Sequence, residues 1–230
     1  MNILRSMFFA SLILLALLPQ ANAANAQGCS NPASGRASWV QLLSRALKLH
    51  DSTHAARMTE VASEIINGQV GKLKADISAG LNPNTSLKLS KFSNLGMSLL
   101  DLAVAACQSR IVHLLVESGA SVNGTGAGSP PLNIAAAKGE TSVTEFLIQH
   151  GAAINRIGVN GLTALDGAVR QRQLDTVKVL LAHGANPNHA VGGGARILDI
   201  VSHSSKPVDQ AIAKELRKYG AVGTLPPAPK

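Results

Sequence analysis

From Leu99 to Asn188 the apolar and polar positions are written as one pattern three times over. The segments Leu99-Leu100-Asp101-Leu102-Ala103, Pro131-Leu132-Asn133-Ile134-Ala135 and Ala164-Leu165-Asp166-Gly167-Ala168 align, and their central leucines stand 19 residues before Gly119, Gly151 and Gly184. Between leucine and glycine, Ile111-Val112 with Leu114-Leu115, Val143 with Phe146-Leu147, and Val177 with Leu180-Leu181 recur at i, i+3 and i+4. That spacing lays one apolar face along a helix, so each unit predicts two short helices. A turn follows every glycine: Gly119-Ala120-Ser121-Val122-Asn123, Gly151-Ala152-Ala153-Ile154-Asn155, Gly184-Ala185-Asn186-Pro187-Asn188. Glycine stops a helix because it accepts the left-handed conformation without a Cβ clash, and asparagine suits the turn beyond it. The glycines are 32 and 33 residues apart.

These residues resemble the ankyrin repeat, whose heart is Thr-Pro-Leu-His-x-Ala, followed by a helix ending Leu-Leu-x-x-Gly-Ala, over about 33 residues. The resemblance implies an all-α, ankyrin-repeat solenoid of helix-turn-helix units joined by hairpin loops, with about five repeats including degenerate caps. The upstream cap is read from Asn67-Gly68, Leu73, Ile77 and Gly80-Leu81-Asn82-Pro83-Asn84; the downstream one runs from Ile197-Leu198-Asp199-Ile200 to Tyr219-Gly220-Ala221, with three extra residues inside it. Atypical ends are expected of a stack whose outer faces meet water. Two departures from the family pattern matter. Its histidine is replaced by Asp101, Asn133, Asp166 and Asp199, short polar side chains suited to holding the adjoining turn and, for the acids, a helix N-terminus. The glycine that closes the first helix is kept as Gly68 and Gly139 but becomes Cys107 and Arg172, which is costly if those positions are left-handed.

The ends read differently. Residues 1–23 have the form of an export signal: Arg5, an apolar run from Met7 to Leu18, a break at Pro19-Gln20, and the small residues Ala21-Asn22-Ala23. Cleavage is expected after Ala23, with a retained N-terminal anchor or lipid attachment at Cys29 as the alternatives. Residues 24–37 read as a flexible arm. Residues 38–57 read as a capping helix with the stripe Trp39, Leu42, Leu43, Ala46 and Leu47, residues 58–222 as the repeats, and residues 223–230 as a disordered, proline-rich tail. The only cysteines, Cys29 and Cys107, allow one bridge in an oxidising compartment or two unpaired thiols.

Composition narrows the function. Hydrophobic residues make up 46% of the chain but aromatic ones only 3%, so the core is built from Ala, Leu, Val and Ile. Without Arg5 the chain has 20 basic and 13 acidic residues, a charge of +7, which favours an acidic partner. An exported chain with no aromatic-rich basic segment does not read as a nucleic-acid binder. No nucleophile motif, phosphate loop or paired-cysteine zinc spacing is present, and His50 with His54 lacks a third ligand, so neither enzyme nor cofactor is expected. Three stretches are candidate partner contacts: Lys88, Lys91 and Phe92 in the long connection Thr85 to Met97; Arg156, Arg170 and Arg172; and Arg196 beside the glycine-rich tip Val191 to Ala195. Leu87 and Leu89 of the connection either face a partner or fold back onto the neighbouring helix. The resemblance implies a monomeric, non-catalytic protein-binding module of the bacterial exported type, either a periplasmic adaptor or stabiliser, as of catalase, or an immunity protein against a secreted toxin such as a lipase.

Overall fold

Ser98 and Thr163 show why helices start where they do. Each hydroxyl accepts the backbone N–H three residues on, from Asp101 at 3.0 Å and Asp166 at 3.3 Å, and each aspartate answers by accepting the N–H of the cap residue, at 2.9 and 2.8 Å. These reciprocal bonds satisfy donors that a helix N-terminus leaves open. Two other helices start on proline, Pro131 and Pro207, whose missing N–H costs nothing in the first turn.

A computed structural model describes residues 53–88, 96–124, 128–191 and 194–224. They fall into two units, one ending at Gly128 and the other beginning at Ser129. The first contains α1 (Thr53–Ile66), α2 (Val70–Ser78), β1 (Ser86–Lys88), β2 (Gly96–Ser98), α3 (Leu99–Ala105) and α4 (Ser109–Glu117). The second contains α5 (Pro131–Lys138), α6 (Thr141–Gln149), α7 (Ala164–Arg170), α8 (Leu174–Ala182), α9 (Ile197–Ser202) and α10 (Pro207–Lys218). The architecture is all-α, in helix pairs of the ankyrin type. Within each unit first helices pack on first helices and second on second: α1 on α3 and α2 on α4, then α5 on α7 on α9 and α6 on α8 on α10.

The apolar pattern is the core. Leu99, Leu100, Ile111, Val112 and Leu115 are buried in the first unit, and Leu132, Val143, Leu147, Leu165, Val177, Leu180, Leu181, Leu198 and Leu216 in the second. Leu114 and Phe146, at the edges of their stripes, are half-buried. The three extra residues of the last repeat lengthen its second helix, which has 12 residues where α4, α6 and α8 have 9 each.

Asparagine ties each turn to the next. Asn84 donates to the Gly119 carbonyl at 2.9 Å and accepts the Ser121 N–H at 2.7 Å. Asn155 does the same to Gly184 and Asn186, at 3.3 and 2.7 Å, and Asn188 to Gly220 and Val222, at 2.9 and 2.8 Å. One side chain thus supplies both a donor and an acceptor to the backbone one repeat on.

The bend between the two helices of a pair has one geometry in every pair but the last. A left-handed residue, Gly68 (φ 70°), Cys107 (57°), Gly139 (74°) or Arg172 (59°), precedes a residue with ψ near 70° that opens the second helix. Cys107 and Arg172 therefore occupy the conformation that glycine usually holds, a strain of about 1–3 kcal/mol each. Gly68 has a second reason to lack a side chain. Its missing Cβ would lie 2.7 Å from Oε1 of Gln108, whose Nε2 donates to the Ile66 carbonyl at 2.8 Å.

The two ends of the long connection of the first unit pair as strands. β1 pairs antiparallel with β2, Leu87 opposite Met97. Leu87 is fully buried and Met97 nearly so, which decides for folding back at that residue. Thr224, inside the stretch expected to be a loose tail, is tied down: its N–H donates to Asp199 at 3.0 Å and its hydroxyl to the same carboxylate.

Candidate partner-binding surface

The residues that replace the family histidine organise the first-helix side of the second unit. Asn133 on α5 donates to the carbonyls of Arg156, at 3.3 Å, and Leu162, at 2.9 Å, pinning both arms of the hairpin that leads into α7. Asp166 on α7 is buried; besides its cap bond it accepts the Thr163 hydroxyl at 2.8 Å and lies 2.7 Å from Nδ1 of His189 in the following hairpin. Asp199 on α9 accepts the Arg196 N–H at 3.0 Å as well as Thr224. The structural role expected of these residues is the one they have.

This bonding decides the charge of that side. The acids of α5, α7, α9 and their hairpins are Asp166 and Asp199, and both are spent on caps and turns. Arg156 and Arg170 are exposed. The exposed acids Glu145 and Asp175 stand instead on the second helices α6 and α8, and Asp175 there is 3.1 Å from Lys178. The first-helix side of this unit exposes arginines, while its carboxylates, Asp166 buried and Asp199 half-buried, are bonded to caps and turns.

The candidate contacts do not all share that setting. Arg172 is exposed but paired within the chain: its Nε lies 2.8 Å from Oδ1 of Asp209, a fully buried residue in the first turn of α10 whose Oδ2 accepts the Ser204 hydroxyl at 2.6 Å. Arg196 is half-buried and reaches Asn188 Oδ1 at 3.4 Å beside the Ala190–Arg196 bridge that closes its hairpin. Lys88 ends β1, in the first unit. Lys91, Phe92, Cys29, His50 and the stripe from Trp39 lie outside the described residues, as do the export signal and residues 225–230. His150 and His183 close their helices, each Nδ1–H donating to the carbonyl four residues back, at 2.8 Å to Phe146 and 2.9 Å to Val179.

Sequence reading missed the apolar part of this side. Ile157 and Val159, in the hairpin between α6 and α7, are 54% and 53% exposed, and Ile200 on α9 is also exposed. Between the first two sits Gly158, where a Cβ would lie 3.0 Å from Ser129 Oγ and 3.2 Å from Asn133 Nδ2. The Cβ position of Gly158 is turned toward α5, while its two neighbours face solvent. The signal was available as two β-branched residues in a turn otherwise made of Arg156, Gly158, Asn160 and Gly161.

A second charged cluster, also unforeseen, lies in the first unit and pairs two cations with three carboxylates. Lys72 sits 2.9 Å from Glu60 and 3.0 Å from Glu64, and Arg57 2.9 Å from Glu60 and 2.6 Å from Asp76, clamping α1 to α2. Burial pushes the Glu64 carboxyl up from its ordinary range, against the pull of Lys72. Among the described residues no group of three or more His, Cys, Asp or Glu side chains is arranged to hold a metal ion.

Residues 100–190 match the family model for ankyrin repeats, in 3 copies. The matched stretch runs from the first turn of α3 to the hairpin before α9, and over it the chain is similar to ankyrin repeats. Such repeats generally serve as non-catalytic modules that bind other proteins. No curated protein matches this chain.

Proposed function

We propose that this protein is an exported, periplasmic adaptor or stabiliser that holds one other protein by an acidic surface, using the first helices and hairpins of its second unit. The observation that carries the reading is the division of charge in that unit. Carboxylates on this side are consumed by caps and turns, while Arg156 and Arg170 stand exposed. Guanidinium groups pair with carboxylates in a two-pronged geometry that lysine cannot reproduce. The export pattern of residues 1–23 supports the compartment, and the absence of nucleophile and cofactor motifs supports a binding role.

The test is affinity capture from periplasmic extract, with the chain from Ala24 onward beside a variant carrying Arg156→Glu and Arg170→Glu. One protein retained by the parent and lost by the variant is the expected result. A retained protein that ignores the reversal places binding elsewhere. If the retained protein is a delivered toxin whose activity the chain abolishes, the role is immunity rather than adaptation.

A further inference from the structure

We infer that Ile157 and Val159 are the apolar anchor of this surface, and that its occupant is an acidic protein segment carrying a bulky apolar side chain. The inference rests on the proposed function and gives it a contact point.

Four observations converge on the hairpin between α6 and α7. It exposes two branched apolar side chains, each more than half open to solvent. Elsewhere in the described residues the large exposed apolar side chains are Ile200, Tyr219 and Val222, none of them two positions from another in the same turn. The hairpin is held rather than free. Asn133 binds the carbonyls at 156 and 162, Gly158 N–H donates to Leu162 at 2.9 Å, Gly161 N–H to Gly158 at 2.9 Å, and Leu162 N–H to Asn160 Oδ1 at 3.1 Å. A surface ordered in advance loses little entropy on binding. Gly158 turns its Cβ position toward Ser129 and Asn133, while the apolar pair faces solvent. Finally, Arg156 precedes the pair and Arg170 ends the helix that the hairpin feeds.

Charge selects the occupant. A second copy docking by this same side would bring a cationic side against a cationic side, which is repulsive. A membrane surface is met by helices bearing Trp, Phe or Leu on one face and lysine or arginine on the other; this site is a turn with no aromatic residue. An acidic segment with one large apolar residue satisfies both halves of the site, the apolar group filling the centre and its carboxylates the rim.

The experiment selects a random dodecapeptide library displayed on phage against the chain from Ala24 onward, then measures synthetic copies of the enriched peptides by fluorescence anisotropy. Two variants are compared, one with Ile157→Ser and Val159→Ser, the other with Arg156→Glu and Arg170→Glu, both checked for unchanged thermal melting. The expected result is a set of acidic peptides with a bulky apolar residue that bind the serine variant about tenfold more weakly or worse. Peptides indifferent to the serine changes but lost with the glutamate changes overturn the anchor and leave the acidic-partner reading standing. Peptides indifferent to both, or no enrichment, overturn the two together. If the serine changes instead abolish binding to phosphatidylglycerol vesicles, or dissolve a dimer seen by light scattering, the occupant is wrong.

Discussion

Glu140 is the odd member of a set of four. It opens α6 at the position that Gln69, Gln108 and Gln173 fill before α2, α4 and α8, with the same backbone geometry at all four. Burial pushes its carboxyl from an ordinary 4.5 up to about 7, and nearby Lys138 opposes that rise. Folding therefore takes up a proton between these two values. The contribution to stability is fully present below pH 4.5 and is lost as pH rises through about 7. Glu140→Gln should leave stability at pH 4.5 little changed and raise it at pH 8 by up to about 3 kcal/mol, flattening the profile in denaturant melts. A variant that keeps the parent's slope would place the titrating group elsewhere. Arg172 makes the opposite kind of test, because two effects compete in it. Arg172→Gly relieves a left-handed side chain but strands the buried Asp209 carboxylate. The stranded charge should win, for a net loss of about 1–3 kcal/mol, and adding Asp209→Asn should recover most of it. Recovery in the double variant, read from a double-mutant cycle, is what distinguishes this account from simple loss of packing.

The elements are where sequence and structure agree best, and the reason is periodic burial. A stripe at i, i+3 and i+4 has one stable placement against its neighbour, so Val143, Leu147, Val177 and Leu181 could be read as core before any coordinates. Leu147→Ala and Leu181→Ala should each cost about 2–5 kcal/mol in denaturant unfolding; a loss under about half a kcal/mol would show that these side chains do not fill the space between helices. Left-handed glycines and capping aspartates were equally legible, since each follows from local chemistry; the three extra residues of the last unit were legible as a count, but not as the lengthening of its second helix. What could not be read was any bond reaching across repeats. Arg172 looked like free surface charge because its partner, Asp209, lies in another repeat. Leu87 was ambiguous because its burial depends on a strand pairing nine residues wide with Met97 as its partner. The asparagine ladder has the same character. Asn155 is recognisable as a turn residue, but its two bonds end on Gly184 and Asn186.

For the whole molecule, charge and compartment belong together. If residues 1–23 are an export signal, the chain recovered from a periplasmic fraction should begin at Ala24 on N-terminal sequencing; recovery of Met1 there would overturn the export reading. The partner-binding proposal belongs to this scale too, since it depends on which carboxylates the fold spends internally and not on the net charge of +7 after cleavage. A basic total said only that acidic partners are favoured. The distribution of exposed arginines is what directs the proposal to the second unit.

The contact between Gln108 and the place where Gly68 has no side chain ties the tolerance of one repeat to its neighbour. Gly68→Ala in the present chain would force a left-handed alanine and push Gln108 off the Ile66 carbonyl together. If Gln108 is shortened first, only the backbone strain remains. The two positions are thus coupled, and with a shorter residue at 108 a substitution at 68 meets the backbone strain alone. Repeat arrays are often pictured as interchangeable modules; here the side chain in one module bears on what the previous one can accommodate.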